Sequence, residues 1–383
     1  MRVAFLSNFL FLNLQIVFSI PYIMTMHSKS NLSEKEGVKQ PETTSKLSAE
    51  KIKLSRKKQV STEEFVSKIL DGNITFLSRA ITLIESTNTK HEEKANSILN
   101  ACLPYANQSV RIGITGVPGV GKSTFIESFG KYLTSIGKRV AVLAVDPSSS
   151  VNKGSILGDK TRMEQLVTDK NAFIRPSPSG TSLGGVAQKT KESILLCEAA
   201  GFDTIIIETV GVGQSETAVH AMVDFFLLLK LSGAGDELQG IKRGIIEMAD
   251  AIVINKADGD NIKNAKIAKV EFNRALHLYP PKENGWQPKV MTASGIKNTG
   301  IKEIHEMISE YISNAKKDGF FDRRRYKQNK HWLFTTIDQQ LKNQFYKNPS
   351  VKKSLELELE NLSNGEITPF NAAKKLLKFT IKR

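Results

Sequence analysis

Gly116-Val117-Pro118-Gly119-Val120-Gly121-Lys122-Ser123 follows a strand-like run, Arg111-Ile112-Gly113-Ile114-Thr115, and leads through Thr124 into a helix-like run that reaches Leu133. This is the pattern G-x-x-x-x-G-K-S in the context its chemistry needs, a strand before it and a helix behind it. The glycines let the backbone wrap a phosphate with its N–H groups turned inward, and the helix N-terminus favours negative charge there. Lys122 is placed to reach β- and γ-phosphates, and the Ser123 hydroxyl to bind magnesium. The stretch from Gly116 to Thr124 therefore reads as a nucleoside triphosphate site. An incidental glycine-rich turn is the competing reading, and the flanking strand and helix weigh against it.

Outward from this loop the chain alternates strand-like and helix-like runs. Strands are expected at 112–115, 140–145, 172–174, 204–208, 225–230, 251–255 and 290–292. Several are apolar throughout, as parallel strands covered on both faces are. The expected fold is α/β, an open, doubly wound, mostly parallel sheet with ligands at the carboxyl ends of its strands. Upstream, Phe65, Ile69, Leu77, Ile81 and Ile84 recur at helical spacing, and Ile98, Leu99 and Leu103 continue after a polar break. Downstream of Lys316, Trp332, Phe334, Ile337, Leu341 and Phe345 read as one amphipathic helix, Leu355, Leu359 and Leu362 as a second, and 369–377 as a short third. The expected division is a start segment and tail (1–61), a helical extension (62–108), a nucleotide domain (109–315) and a helical arm (316–383).

Composition bounds the reading. The 383 residues carry a formal charge of +15 with 40% apolar content. The basic residues are dispersed, without zinc-finger spacing or an aromatic-interleaved stripe, so a lysine-rich solvated surface is expected rather than nucleic-acid binding. Cys102 and Cys197 lie in apolar helical segments and read as buried thiols in a reducing compartment. The six histidines show no metal-ligand spacing. Residues 3–24 are apolar but interrupted by Asn8, Asn13, Gln15 and Pro21, a poor membrane span without an A-x-A-like cleavage site. The favoured reading places the true start at Met24 or Met26 in a cytoplasmic protein, with no stable membrane association. Residues 28–61 read as a disordered polar tail.

Two further stretches specify the base and the metal. Asn255-Lys256-Ala257-Asp258 closes a strand, and a carboxylate there can accept from both the ring N1–H and the exocyclic amine of guanine. Adenine lacks those donors and would leave the buried carboxylate unpaired, so GTP is expected over ATP. Ser294, Gly295 and Ile296, after the next strand, form the expected second wall of the base pocket, with a plain polar loop as the alternative. Glu208-Thr209-Val210-Gly211 stands where most GTPases hold D-x-x-G, with Glu in place of the magnesium-side Asp. Val212-Gly213-Gln214 follows, so no Gln directly after the glycine positions a water, and slow intrinsic hydrolysis is expected. Asp146 and Asp159 are candidates to organise magnesium or water, with a helix cap or turn aspartate as the alternative for each. A glycine-rich loop, 232–242, follows a strand near the nucleotide.

These stretches together (GVPGVGKST, VDPSSS, GDKTRM, ETVGVGQSE, SGAGDELQGIKRGI and NKAD) resemble the methylmalonyl-CoA mutase-associated GTPase family, the MeaB, MMAA and ArgK type. The resemblance runs from about Thr62 to the C-terminus. It implies a P-loop GTPase of the SIMIBI-like class with helical N- and C-terminal extensions, working with GTP/GDP and Mg2+ as a homodimer. The implied role is chaperone to an adenosylcobalamin-dependent acyl-CoA mutase, gating cofactor loading and protecting or reactivating the enzyme, without binding cobalamin directly. On the resemblance Lys122, Asp146, Asp159 and Glu208 carry the chemistry, with Ser123, Asp159 and Glu208 on the metal. Gly211, Gln214, Asp236, Glu237, Gln239 and Lys242 act as switch residues, and the C-terminal helices as the dimerisation arm. The rival readings are a small-molecule kinase, a GTPase serving another metalloenzyme such as a nickel client, and a nucleic-acid-associated GTPase. The sequence offers no separate acceptor pocket, no His-rich tract and only net charge in their favour.

Overall fold

The seven apolar runs form strands β1 (Val110–Gly116), β2 (Val140–Val145), β3 (Ala172–Arg175), β4 (Thr204–Thr209), β5 (Phe225–Lys230), β6 (Ala251–Ile254) and β7 (Lys289–Thr292). In the computed structural model, which describes residues 60–86, 88–145, 163–176, 183–209, 215–233 and 243–381, they join in one sheet ordered β3-β2-β4-β1-β5-β6-β7. Every pairing is parallel. The central position of β1, between β4 and β5, puts the phosphate loop at the crevice where the strand order reverses, the place ligands occupy in such sheets. The start segment and nearly all of the tail expected up to residue 61 lie outside the described residues.

Thirteen helices surround the sheet among the described residues. Before it come α1 (Thr62–Leu70), α2 (Ile74–Glu85) and α3 (Thr89–Cys102). Between the strands lie α4 (Lys122–Ser135), α5 (Glu164–Val167), α6 (Leu183–Ala199), α7 (Ser215–His220), α8 (Arg243–Met248) and α9 (Ile262–Leu276). After it follow α10 (Ile301–Lys317), α11 (Phe320–Lys347), α12 (Pro349–Ser363) and α13 (Pro369–Ile381). Side-chain caps start several of them. Ser61 accepts from Glu64 N at 3.2 Å and Asn73 from Thr75 N at 3.0 Å. Asn348 accepts from Ser350 N at 2.9 Å just ahead of a first-turn proline.

Strand alternation divides the core. Phe225, Leu227 and Leu229 of β5 pack on one face with Phe125, Ile126 and Phe129 of α4 and Ile304, Ile308 and Ile312 of α10. Phe226 turns to the other face, with Ile194 and Cys197 of α6 and Ile69, Leu77, Ile81 and Ile98 of the first three helices. Ile69, Leu77 and Ile81 have no exposed surface, and burying each is worth roughly 1.5–3 kcal/mol. The N-terminal helices are thus part of the core rather than a loose appendage. Cys102 and Cys197 are free and buried here; burial pushes both thiols up, Cys102 to about 11. No helix of the described residues is long and apolar enough to cross a membrane.

The compositional change at Lys316 falls within the last turn of α10, and the chain breaks only at Asp318 and Gly319. The expected amphipathic stripe of α11 is buried only at Trp332. Leu333, Phe334, Ile337 and Leu341 are 42–59% exposed, because α11 leaves the sheet after its first third. What holds that first third is largely polar. Arg325 pairs with Asp224, Nε to Oδ1 at 2.9 Å and Nη2 to Oδ2 at 2.7 Å, and donates to the Asn107 and Ser109 carbonyls at 2.7 Å. Gln328 Nε2 donates to the Val223 carbonyl (2.8 Å) and Trp332 Nε1 to that of Ala221 (3.1 Å). Asp224 also accepts from Arg111 N of β1 at 2.9 Å, and the Arg111 guanidinium pairs with Glu198 of α6. Nearby, Trp286 Nε1 donates to the Asp250 carbonyl at 2.8 Å.

Two outcomes are expected. Arg325→Ala leaves Asp224 buried without its partner and should lower the unfolding free energy by about 3–5 kcal/mol in urea titrations. His220, edge-on to Phe226 with Arg324 Nη2 at 3.4 Å, has its pKa held down to about 3 by burial and by the Arg324 charge. The unfolded chain therefore binds the extra proton between pH 6.5 and about 3, so stability falls as pH drops through that window. His220→Gln should flatten the dependence by up to about 1.4 kcal/mol per pH unit, read from denaturation at a series of pH values.

Candidate nucleotide site

The phosphate loop begins where β1 ends, with Gly116 opposite Leu229 of β5. Pro118 and Gly119 are exposed at its tip, Val120 is buried beneath it, and Val117, Gly121, Lys122 and Ser123 are half-buried. Val120 N donates to the Val117 carbonyl at 3.3 Å, and Phe125 N to that of Gly121 at 2.9 Å, the first bond of α4. Lys122 arches back over the loop, donating to the Gly116 carbonyl at 2.9 Å and the Val117 carbonyl at 3.3 Å. Its ammonium group thus lies above the ring of backbone that the sequence pattern assigns to phosphate.

The loop is tied to the base-reading segment by one side chain. Asn255, the first residue beyond β6, is buried and donates from Nδ2 to the Val120 carbonyl at 2.8 Å, with Gly121 O at 3.4 Å. Gly121 has φ +91, and a Cβ there would lie 2.9 Å from Asn255 Nδ2. Glycine is needed on both counts. Asn255 Oδ1 is buried without a hydrogen-bond partner, an acceptor of the kind a nucleobase or neighbouring donor would satisfy. Lys256 stands exposed at φ +56, its carbonyl held by Asn261 Nδ2 at 2.7 Å. Asp258 is half-buried, and Ser294 Oγ donates to its Oδ2. Ser294 in turn accepts from Lys297 N at 3.1 Å and pairs with Thr299 through its backbone. Ile296 is 72% exposed beside them. The structure thus brings Asn255, Asp258, Ser294 and Gly295 to the mouth of the phosphate loop.

On the other side, Glu208 sits one residue from the end of β4, opposite Ile114 of β1 and Ala144 of β2. Thr209 donates to Thr115 at 2.7 Å, and both hydroxyls are buried. This bond fixes the end of β4 against the strand that enters the phosphate loop. Hard oxygen donors from Ser123 and Glu208 suit magnesium, which takes one or two protein oxygens and completes its shell with phosphate and water. No group of three or more His, Cys, Asp or Glu able to hold a metal occurs among the described residues, so an all-protein cage is not what they offer. Asp146, Asp159, Gly211, Gln214, Asp236, Glu237, Gln239 and Lys242 lie outside the described residues.

The sequence reading missed the supporting side chains Thr115, Thr209, Asn261 and Ser128, whose hydroxyl donates to the Gly295 carbonyl. Each is a short polar residue with no motif of its own. Asn255→Asp keeps the shape of the tie but removes its donor and sets a carboxylate against the Val120 carbonyl. A loss of about tenfold or more in affinity for a fluorescent GTP analogue is expected from titration.

A family model described as methylmalonyl-CoA mutase-associated GTPase MeaB matches residues 77–350. The GTPase ArgK of Escherichia coli (strain K12) is 44% identical over 316 residues, 82% of this chain and 96% of that protein. The mitochondrial methylmalonic aciduria type A homolog of Mus musculus is 44% identical over 335 residues, 85% of this chain and 81% of its own length. A crystal structure titled LAO/AO transport system kinase superposes with a TM-score of 0.68 at 37% identity, covering 85% of this chain and all of that one. A match over most of the chain, in sequence and in fold, joins the phosphate and base loops described above: the chain belongs to the MeaB family of methylmalonyl-CoA mutase-associated GTPases.

Proposed function

We propose that this chain is a GTP-driven switch that assists an adenosylcobalamin-dependent acyl-CoA mutase, with methylmalonyl-CoA mutase as its client. The observation that carries the nucleotide part is the Asn255 tie, which makes the phosphate loop and the Asp258 loop one unit able to hold both ends of a guanine nucleotide. The client comes from the family description. In this reading Lys122 leaves its loop carbonyls to neutralise charge on the β- and γ-phosphates, and Asp258 accepts from the guanine N1–H and amine. Ser123 and Glu208 hold magnesium, Ser123 directly and Glu208 through water. When bound, the ion neutralises charge that builds on the phosphate oxygens.

Asp146 and Asp159 complete the magnesium and water arrangement, and Gly211 and Gln214 respond to the γ-phosphate. Asp236, Glu237, Gln239 and Lys242 relay nucleotide state to the mutase. Cobalamin stays with the mutase, which this protein helps to load, protect and reactivate from the cytoplasm. A homodimer forms through residues 316–383; the apolar residues that α11 to α13 leave exposed, Leu341 and Phe370 among them, support that arm. Intrinsic hydrolysis is slow because no Gln directly follows Gly211.

The test is GTP hydrolysis with and without a purified adenosylcobalamin-dependent acyl-CoA mutase. Slow release of inorganic phosphate alone, marked acceleration by the mutase, and loss of both in Lys122→Ala are expected. Fast hydrolysis by the isolated chain would refute the partner-gated part. Absence of both acceleration and complex, with GTP bound, would move the function to another client. Transfer of phosphate to a small-molecule acceptor would instead favour a kinase.

A further inference from the structure

The phosphate-loop helix carries three hydroxyls of different use. Ser135 and Thr134 of α4 turn back on carbonyls of their own helix, those of Tyr132 at 2.6 Å and Lys131 at 3.1 Å, as helical serines and threonines commonly do. Ser128 does not. It reaches across to the loop after β7 and donates to the carbonyl of Gly295.

A second observation concerns the same contact. Gly295 has no left-handed backbone to explain it, but a Cβ there would lie 3.0 Å from the Thr124 carbonyl oxygen and 3.1 Å from Phe125 N. The loop therefore rests on the backbone of the first turn of α4 with no side chain between, and Ser128, one turn further on, fastens it there. The neighbouring peptide carries Ser294, whose hydroxyl holds the Asp258 carboxylate and whose backbone pairs with Thr299.

We propose that Ser128 is a positioning residue for guanine recognition: its hydroxyl fixes the Gly295 carbonyl on the phosphate-loop helix and thereby sets the Ser294–Asp258 pair that reads the base. The inference rests on the assignment of Asp258 to guanine made above. Ser128 touches no nucleotide in this scheme; it acts through Gly295 and Ser294. A carboxylate held in place by such a chain costs less ordering when the base binds, which is where a positioning residue acts on affinity.

The test compares the full chain with Ser128→Ala and Ser128→Thr, by competition against a fluorescent GTP analogue. The competitors are GTP, ITP (which lacks the exocyclic amine) and inorganic tripolyphosphate. In Ser128→Ala the affinity for GTP should fall about three- to tenfold, the size of one lost hydrogen bond, and that for ITP by less. Tripolyphosphate should change less than about twofold and kcat should hold while KM rises, because the phosphate loop is untouched. Ser128→Thr keeps the hydroxyl and should restore GTP affinity. Unchanged GTP affinity in Ser128→Ala, or an equal loss for tripolyphosphate, would overturn the proposal, the latter because it reports a damaged phosphate loop. Wild-type protein that fails to prefer GTP over ATP would instead remove the guanine assignment, before any variant is compared.

Discussion

Asp224 is the point on which the scaffold turns. Its single carboxylate receives the backbone of β1 at Arg111 and the guanidinium of Arg325 from α11, at the start of β5. Burying such a pair costs several kcal/mol before the attraction and hydrogen bonds recover it, so net stability is the lesser consequence. Geometry is the greater one. The two central strands begin in a set relation to each other and to the C-terminal helix, and β1 delivers the phosphate loop at its far end. With Arg111–Glu198 alongside, the amino ends of β1 and β5, helix α6 and helix α11 share one charge network.

At the opposite ends of the same strands, order is kept by single neutral hydrogen bonds. Asn255 joins the loop after β6 to the phosphate loop, Ser128 joins the loop after β7 to α4, and Thr209 joins β4 to β1. No one of them is strong; in a sheltered setting such bonds reinforce one another, and the gain is shared among the members. The contrast suits the two tasks. The amino end holds still, while the carboxyl end must admit a charged ligand and rearrange around it.

How much of this was legible in the sequence follows from distance along the chain. The phosphate loop and Asn255–Asp258 are local patterns, and each buried strand announces itself as a run of apolar residues, so the sheet and the site's outline could be read directly. Contacts between remote residues could not. Arg325 and Gln328 look like solvated residues in a basic helix, yet both are buried, 7% and 6% exposed. The apolar stripe through Phe334, Ile337 and Leu341 pointed to a helix but not to its surroundings, because periodicity reports a face and not what covers it. Ser128 carried no signal, since a serine on a helix is ordinary until its partner is known.

The chain has two tryptophans, and both indoles are lodged at the amino ends of the central strands, on the carbonyls of Asp250 and Ala221. Neither belongs to the nucleotide pocket. The protein's ultraviolet emission is therefore an optical gauge of the Asp224 side of the sheet, built in without a label. Any spectral change that accompanies nucleotide exchange must have crossed the length of the strands, so native fluorescence separates a rearrangement transmitted through the sheet from one confined to its loops.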